Sequence, residues 1–299
     1  MSTPVLVLHT VEEMRQWRDT QRSSGAQVGL VATMGALHSG HLHLVQTAAA
    51  SCSSIVISIF VNPAQFAPHE DLNEYPRTLP SDIAQLQGLA LNTTLVVFAP
   101  RVSDMYPRGI STDRSQQRGA FVEMLGLSEM LEGGTRPHFF RGVATVVTKL
   151  FHVVEPHMAY FGQKDVQQCC VVKAMVDDLL FPLRVVVVPT VRDKESGLAL
   201  SSRNVYLSKE EKERAPAFYR GLCRAKELFA SGVVEGDKLL GVVREEAEKS
   251  GLDVEYVCLS SPDDLQNVDV VDERGAILSG AWRMGSTRLI DNILLGFEF

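Results

Sequence analysis

Five short apolar runs, at residues 28–32, 54–61, 94–99, 157–161 and 183–188, punctuate the first two-thirds of the chain. Their length and β-branched content predict strands buried on both faces. Between them the period turns helical, as where Leu42, Val45 and Ala49 share one face. Helices are predicted over 11–23, from His41 onward, and over 82–91, 142–154 and 164–180. Thr10 and Glu13 form a capping box at the first, Gly25 stops it, and Glu155-Pro156 ends the fourth. Strands that alternate with helices and lack a polar face predict an α/β fold, a Rossmann-like doubly wound parallel sheet.

After Pro189 the texture changes. A hydrophilic turn covers 192–197, Ser208 and Glu211 make a second capping box, and Pro216 should kink or restart that helix. An amphipathic helix over 236–250 closes at Gly251. Strands follow at 254–259, 276–284 and 287–294, the last two a hairpin at Gly285-Ser286. The expected organisation is a first domain over 1–190 and a smaller α+β domain over 191–299, without repeats.

Polar clusters fall just past the predicted strands: 33–41, 62–65, 162–168 and from Val191 onward. In open parallel sheets ligands bind at the carboxyl ends of strands, so one shared active site is expected. In the first cluster, Thr33-Met34-Gly35 breaks the strand and His38-Ser39-Gly40-His41 opens a helix. The first amides of a helix lack partners and carry partial positive charge, which makes an anion site. Gly35 and Gly40 clear space for a phosphate chain against the backbone. The spacing is neither Walker A nor GxGxxG. Taken alone, His38 and His41 read equally well as polar residues opening a helix; the other clusters supply the context.

Asn62 and Gln65 can both donate and accept, which suits a small ligand with hydroxyls and a carboxylate. Asn62 before Pro63 also reads as turn chemistry, whereas Gln65 has no turn preference. Gly162-Gln163-Lys164-Asp165 repeats the strand, glycine, helix-start order. A lysine beside a helix N-terminus is unfavourable unless an anion shares the site. Asp165 suits a first-turn acid, and Gln168 lies about one turn further on. Ser201-Ser202-Arg203 offers two hydroxyls and a guanidinium for a pyrophosphate, and by itself is an ordinary polar loop. Arg136 and Arg141, near Phe139-Phe140, add cations without a decisive pattern. His43, His69, His152 and His157 read as surface or packing residues.

The 299 residues are 45% hydrophobic and 22% charged, which argues for a globular chain. A net charge of -7 argues against nucleic acid as a partner while allowing a nucleotide in a local positive pocket. No apolar run approaches a membrane span, and the N-terminus lacks a signal-peptide pattern. Five cysteines without C-x-x-C spacing suit buried free thiols in a reducing, cytoplasmic setting.

The chain resembles the pantothenate synthetase family, of the HxGH nucleotidyltransferase superfamily. VATMGALHSGHLHLV, IFVNPAQF with EYPRT, FRGVATVVTKLF, YFGQKDVQQ, LALSSRNVYLS and STRLIDNILL are similar to its signature blocks, in family order over nearly the whole chain. The resemblance implies two steps. Pantoate attacks the α-phosphate of ATP to give pantoyl adenylate and pyrophosphate; β-alanine then displaces AMP to give pantothenate. It implies that Met34, Gly35, Ala36, Leu37, His38, Ser39, Gly40 and His41 embrace ATP, with His41 catalytic. His38, Lys164 and Arg203 would join it in meeting phosphate charge. Gly162, Gln163, Lys164, Asp165, Val191, Leu200, Ser201, Ser202 and Arg203 would contact the nucleotide. Gln65 would hold pantoate and then β-alanine, and Gln168 pantoate, with Asn62 nearby.

The resemblance also implies Mg²⁺ dependence, a homodimer, and a C-terminal domain closing over ATP. Asp82 is a candidate metal contact. The loop over 67–80, with His69, Glu70, Asp71, Tyr75 and Arg77, would cover the water-sensitive adenylate. Three positions depart from the family: Ala32 replaces a usual proline, Gln163 a usual glutamate, and Phe139 a usual histidine. Rival readings are another HxGH nucleotidylyltransferase, a class I aminoacyl-tRNA synthetase, and a non-catalytic nucleotide-binding relative. The first would want extra basic residues for an acceptor phosphate and the second a basic tRNA surface.

Overall fold

Each of the five apolar runs forms a strand, and a sixth precedes them. The computed structural model describes residues 4–68, 70 and 72–299. The strands are Val5–Leu8 (β1), Val28–Thr33 (β2), Ser54–Ile59 (β3), Thr94–Phe98 (β4), Met158–Gly162 (β5) and Arg184–Val188 (β6). They pair in parallel throughout, in the order β1-β4-β3-β2-β5-β6. β1 was not expected. It is four residues long at the sheet edge with Leu6 exposed, so it lacks the doubly buried signature of the others.

The helices of this first part are Val11–Ser23 (α1), Ser39–Ala49 (α2), Leu79–Gln87 (α3), Val102–Met105 (α4), Glu132–Thr135 (α5) and Phe139–Val154 (α6). α1 has the expected bounds and its capping box. α3 starts three residues before Asp82, since Pro80 is pre-set for a first helical turn. Val31, Val45, Ile55, Ile57, Leu86, Leu95 and Val97 are almost wholly buried between sheet and helices. Burying side chains of this size contributes about 1.5–3 kcal/mol each.

The chain runs β2, β3, β4 across one side of the sheet, then crosses to β5 and β6 on the other. The reversal therefore lies between β2 and β5, where Val31 pairs with Tyr160. That is the crevice in which an open α/β sheet binds its ligand.

Two compact units emerge: Met1–Gly162 with Val171–Val188, and Gln163–Cys170 with Pro189–Phe299. The division passes through Val166–Asp178 (α7). The second unit holds Lys209–Arg214 (α8), Ala217–Ala230 (α9) and Gly236–Lys249 (α10). Pro216 restarts the helix between α8 and α9. Asp253–Ser260 (β7), Ala276–Met284 (β8) and Thr287–Leu295 (β9) form an antiparallel sheet. In its core Phe218 stacks on Trp282 with ring centroids 4.3 Å apart. The fold is thus the expected α/β sheet plus a smaller α+β part. Cys52, Cys169 and Cys170 are buried, and Cys223 and Cys258 are half-buried. Among the described residues no helix is long and apolar enough to cross a membrane.

Candidate active site

β2 ends at Thr33, and the chain turns through Met34–Leu37 into α2. Gly35 and Ala36 take positive φ values of 88° and 51°. A side chain at Gly35 would meet Ile59 and Asp82 besides being strained. Thr33 Oγ1 donates to the Ser58 carbonyl at 2.7 Å and accepts from Gly35 N at 3.1 Å. Asp82, buried on α3, holds the rest of the turn. It accepts from Ala36 N (3.1 Å), Leu37 N (2.9 Å) and the Thr78 hydroxyl (3.2 Å to each oxygen). A bent backbone is thereby held open at the mouth of the crevice.

His38 is the N-cap of α2: its Nδ1 accepts from Gly40 N at 3.1 Å. His41 Nδ1 accepts from His38 N over a longer 3.4 Å, and the two rings lie 4.1 Å apart. Nitrogens that accept carry no hydrogen, so the proton of each neutral ring sits on Nε2. A Cβ at Gly40 would stand 2.8 Å from His38 Cε1, so the cap requires glycine there.

A 3₁₀ turn, Pro63–Gln65, follows β3 and packs on α6. The packing is so close that a Cβ at Gly142 would lie 2.4 Å from the Ala64 carbonyl oxygen. Asn62 Nδ2 donates to Gly142 O (3.1 Å) and Gln65 Oε1 (2.9 Å), while Asn62 Oδ1 accepts from Ala64 N (3.3 Å) and Tyr106 OH (2.7 Å). All four hydrogen-bonding positions of the Asn62 amide are filled by protein, and one of them holds Gln65. Gln65 is left with its Nε2 donors against Met34 Sδ at 3.3 Å, a weak acceptor. Tyr106, buried and raised in pKa by that burial, lies under Lys149, whose Nζ is 3.7 Å from the ring centre and bonds Met105 O at 2.6 Å. Burial also lowers the pKa of Lys149.

Arg136 forms a two-pronged pair with Glu70 (2.7 and 2.8 Å), donates to Gln65 O and stacks on Phe139 at 4.1 Å. Phe139 thus supports the guanidinium that ties this loop to α6. His138 opens α6 without a side-chain cap bond. Arg77 donates to the carbonyls of Leu72, Asn73 and Tyr75. His69 and Asp71 lie outside the described residues. His157 Nδ1 accepts from Val28 N, His152 packs on Phe181, and His43 is exposed.

The remaining expected residues belong to the second unit, except Gly162, which ends β5. Gln163–Asp165 is a 3₁₀ turn before α7; Lys164 Nζ lies 3.6 Å from Asp165, and Gln168 is half-buried. Val191 and Leu200 meet through Leu200 N and Val191 O (2.9 Å), closing a hairpin. Ser201 Oγ caps Arg203 N at 3.3 Å, Ser202 is half-buried, and the exposed Arg203 guanidinium makes no ion pair among the described residues. Asp291 and Asn292, which lie in the STRLIDNILL block but were not named as site residues, hold Arg192 and the Gln163–Asp165 turn.

The pantoate-beta-alanine ligase family profile matches residues 6–294. The chain belongs to the pantoate–β-alanine ligase family. It is 46% identical to a pantothenate synthetase of Chloroflexus aggregans over 97% of this chain and 99% of that one. A pantothenate synthetase structure from Thermus thermophilus superposes with a TM-score of 0.85 at 41% identity, covering 96% of this chain and 98% of that one. The Francisella tularensis pantoate-beta-alanine ligase, complexed with beta-gamma ATP and beta-alanine, gives a TM-score of 0.75 at 30% identity, over 97% and 98%. The chain is therefore a pantoate–β-alanine ligase, an enzyme that makes pantothenate.

Its donor set bears on the metal. Among the described residues no group of three or more His, Cys, Asp or Glu is placed to hold an ion. Asp82, a candidate metal contact, has both oxygens engaged by two amides and a hydroxyl. It is a backbone anchor, and as arranged it does not fit a magnesium ligand.

Proposed function

We propose that the ligase works through a pantoyl adenylate, with the turn from Met34 to His41 binding the ATP phosphates and Gln65 holding the acid. The observation that carries this reading is the Gln65 amide, held by Asn62 with its donors toward Met34 of that turn. A carboxylate bound at Gln65 Nε2 would lie beside the α-phosphate it attacks. The helix N-terminus and the Nε2–H groups of His38 and His41 would stabilise charge building on that phosphate. Lys164, Arg203 and the Ser201 and Ser202 hydroxyls would bear the departing pyrophosphate. Positioning supplies much of the rate, because no group of the protein needs to bond covalently to substrate.

β-Alanine would then take the place beside Gln65 and attack the acyl carbon, releasing AMP; Gln168 would assist with pantoate. Gly162, Gln163, Asp165, Val191 and Leu200 would line the nucleotide. Mg²⁺ would arrive with ATP as the counter-ion of its phosphates, since Asp82 is engaged elsewhere. The loop tied by Glu70 to Arg136 would shield the mixed anhydride from water. A cytoplasmic homodimer is the proposed setting.

The test is pantoate-dependent exchange of labelled pyrophosphate into ATP in the absence of β-alanine. Exchange is expected, with AMP accumulating only when all three substrates are present. Folded protein that makes pantothenate yet never exchanges would overturn the adenylate.

A further inference from the structure

We propose that Asn292, on β9, is the positioning residue for Lys164. The inference rests on the reading of Lys164 as a phosphate ligand and adds the element that holds it. Lys164 sits in the three-residue 3₁₀ turn Gln163–Asp165. So short a turn lacks a full helical ladder, and its carbonyls need partners from elsewhere. Asn292 is 1% exposed and supplies them. Its Nδ2 donates to Gln163 O at 2.9 Å and to Lys164 O at 3.0 Å, while Oδ1 accepts from Gln163 Nε2 at 3.2 Å.

Only an amide makes all three contacts. Aspartate would set an oxygen against two carbonyls, and alanine would leave both unpaired. Gln163 completes the contact in return. Its side-chain amide donates to Asn292 Oδ1, and so helps keep Nδ2 turned toward the carbonyls.

The neighbouring residue makes β9 an anchor for a second segment. Asp291 is wholly buried and grips Arg192 at 2.6 and 2.8 Å. Arg192 lies 3.5 Å from the centre of the Tyr219 ring, in the hairpin that joins Val191 to Leu200. Consecutive strand residues face opposite sides, so two adjacent positions reach two segments that sequence holds apart. Asp291 Oδ1 also accepts from Asn292 N at 2.8 Å, coupling the two grips.

Steady-state kinetics of the full-length ligase test this with Asn292→Ala, Gln163→Met, Lys164→Ala and the Asn292→Ala/Lys164→Ala double variant. Asn292→Ala is expected to raise KM for ATP about tenfold, while KM for pantoate and for β-alanine stays within about twofold. Gln163→Met should shift KM for ATP less, in the same direction. In the Lys164→Ala background the Asn292→Ala effect should disappear, because the group being positioned is gone. An Asn292→Ala effect that persists undiminished there, or that falls equally on all three substrates, overturns the proposal. Should Asn292→Ala not fold, Gln163→Met decides: an unchanged KM for ATP overturns it. Lys164→Ala with unchanged ATP kinetics would instead refute the phosphate role of Lys164, whatever Asn292 does.

Discussion

Asn62 Nδ2 donates to Gln65 Oε1 at 2.9 Å, and that bond decides which end of the Gln65 amide faces the site. Oxygen and nitrogen of a glutamine differ little in shape, so orientation depends on a partner that only donates or only accepts. Asn62 is itself oriented by Gly142 O, which only accepts from its Nδ2, and by Ala64 N, which only donates to its Oδ1, and Tyr106 OH adds a 2.7 Å bond to that oxygen. Direction thus passes to Gln65 from fixed backbone groups, backed by a buried phenol, through the Asn62 amide.

Removing the first link should loosen substrate recognition without touching the nucleotide. Tyr106→Phe is expected to raise KM for pantoate several-fold and to lower stability by about 1–2 kcal/mol, leaving KM for ATP unchanged. Asn62→Asp should act more strongly, by at least about tenfold, because a carboxylate oxygen would then face Gln65 Oε1. Kinetics with each substrate varied in turn, together with urea unfolding, check both.

Asp82→Asn separates a backbone anchor from a metal ligand. The amide loses acceptor capacity needed by Ala36 N, Leu37 N and Thr78. We expect kcat/KM for ATP to fall about 10- to 100-fold with the Mg²⁺ concentration giving half-maximal rate unchanged. A marked shift in that concentration would restore Asp82 as a metal contact.

His38 has two roles that different substitutions pull apart. His38→Ala removes the α2 cap and should cost about 1 kcal/mol of stability along with activity. His38→Asn keeps a capping oxygen, so stability should return while turnover stays low. His41→Ala should lower turnover by orders of magnitude with a nearly unchanged Tm, since its backbone contact is the longer one. Thermal melts beside initial rates distinguish the cases.

Glu255 provides a pH signature in the second unit. It lies between Arg283 and Arg288, 2.7 Å from each. Burial alone would raise its pKa, but the Arg288 hydrogen bond and the two positive charges outweigh burial and hold it below the usual 4.5. The unfolded chain therefore binds the proton more readily. The stabilisation is fully present above about pH 4.5 and is lost as pH falls through the lower folded value. Glu255→Gln should be less stable by about 1 kcal/mol near neutrality, and the gap should close in acid. Urea unfolding at several pH values measures it.

Much of the fold was legible because strands buried on both faces need unbroken apolar runs, and helix starts need caps such as Thr10 with Glu13. β1 was not, because a four-residue edge strand with Leu6 exposed bears neither mark. The turn proposed to bind phosphate was legible from Gly35, His38, Gly40 and His41, whose chemistry is local to one strand end and one helix start. By sequence alone Asn62 stood between ligand and turn, and Asp82 suggested a metal.

Only tertiary contact shows which groups within the chain fill the lone pairs and hydrogens of each. Asp82 meets amides 45 and 46 residues away, and Asn62 meets a carbonyl 80 residues away. Asn292 and its carbonyls are 128 and 129 residues apart, a relation no local spacing encodes. Local chemistry therefore pointed to the groups proposed to face substrate, while long-range hydrogen bonding shows which groups hold them in place.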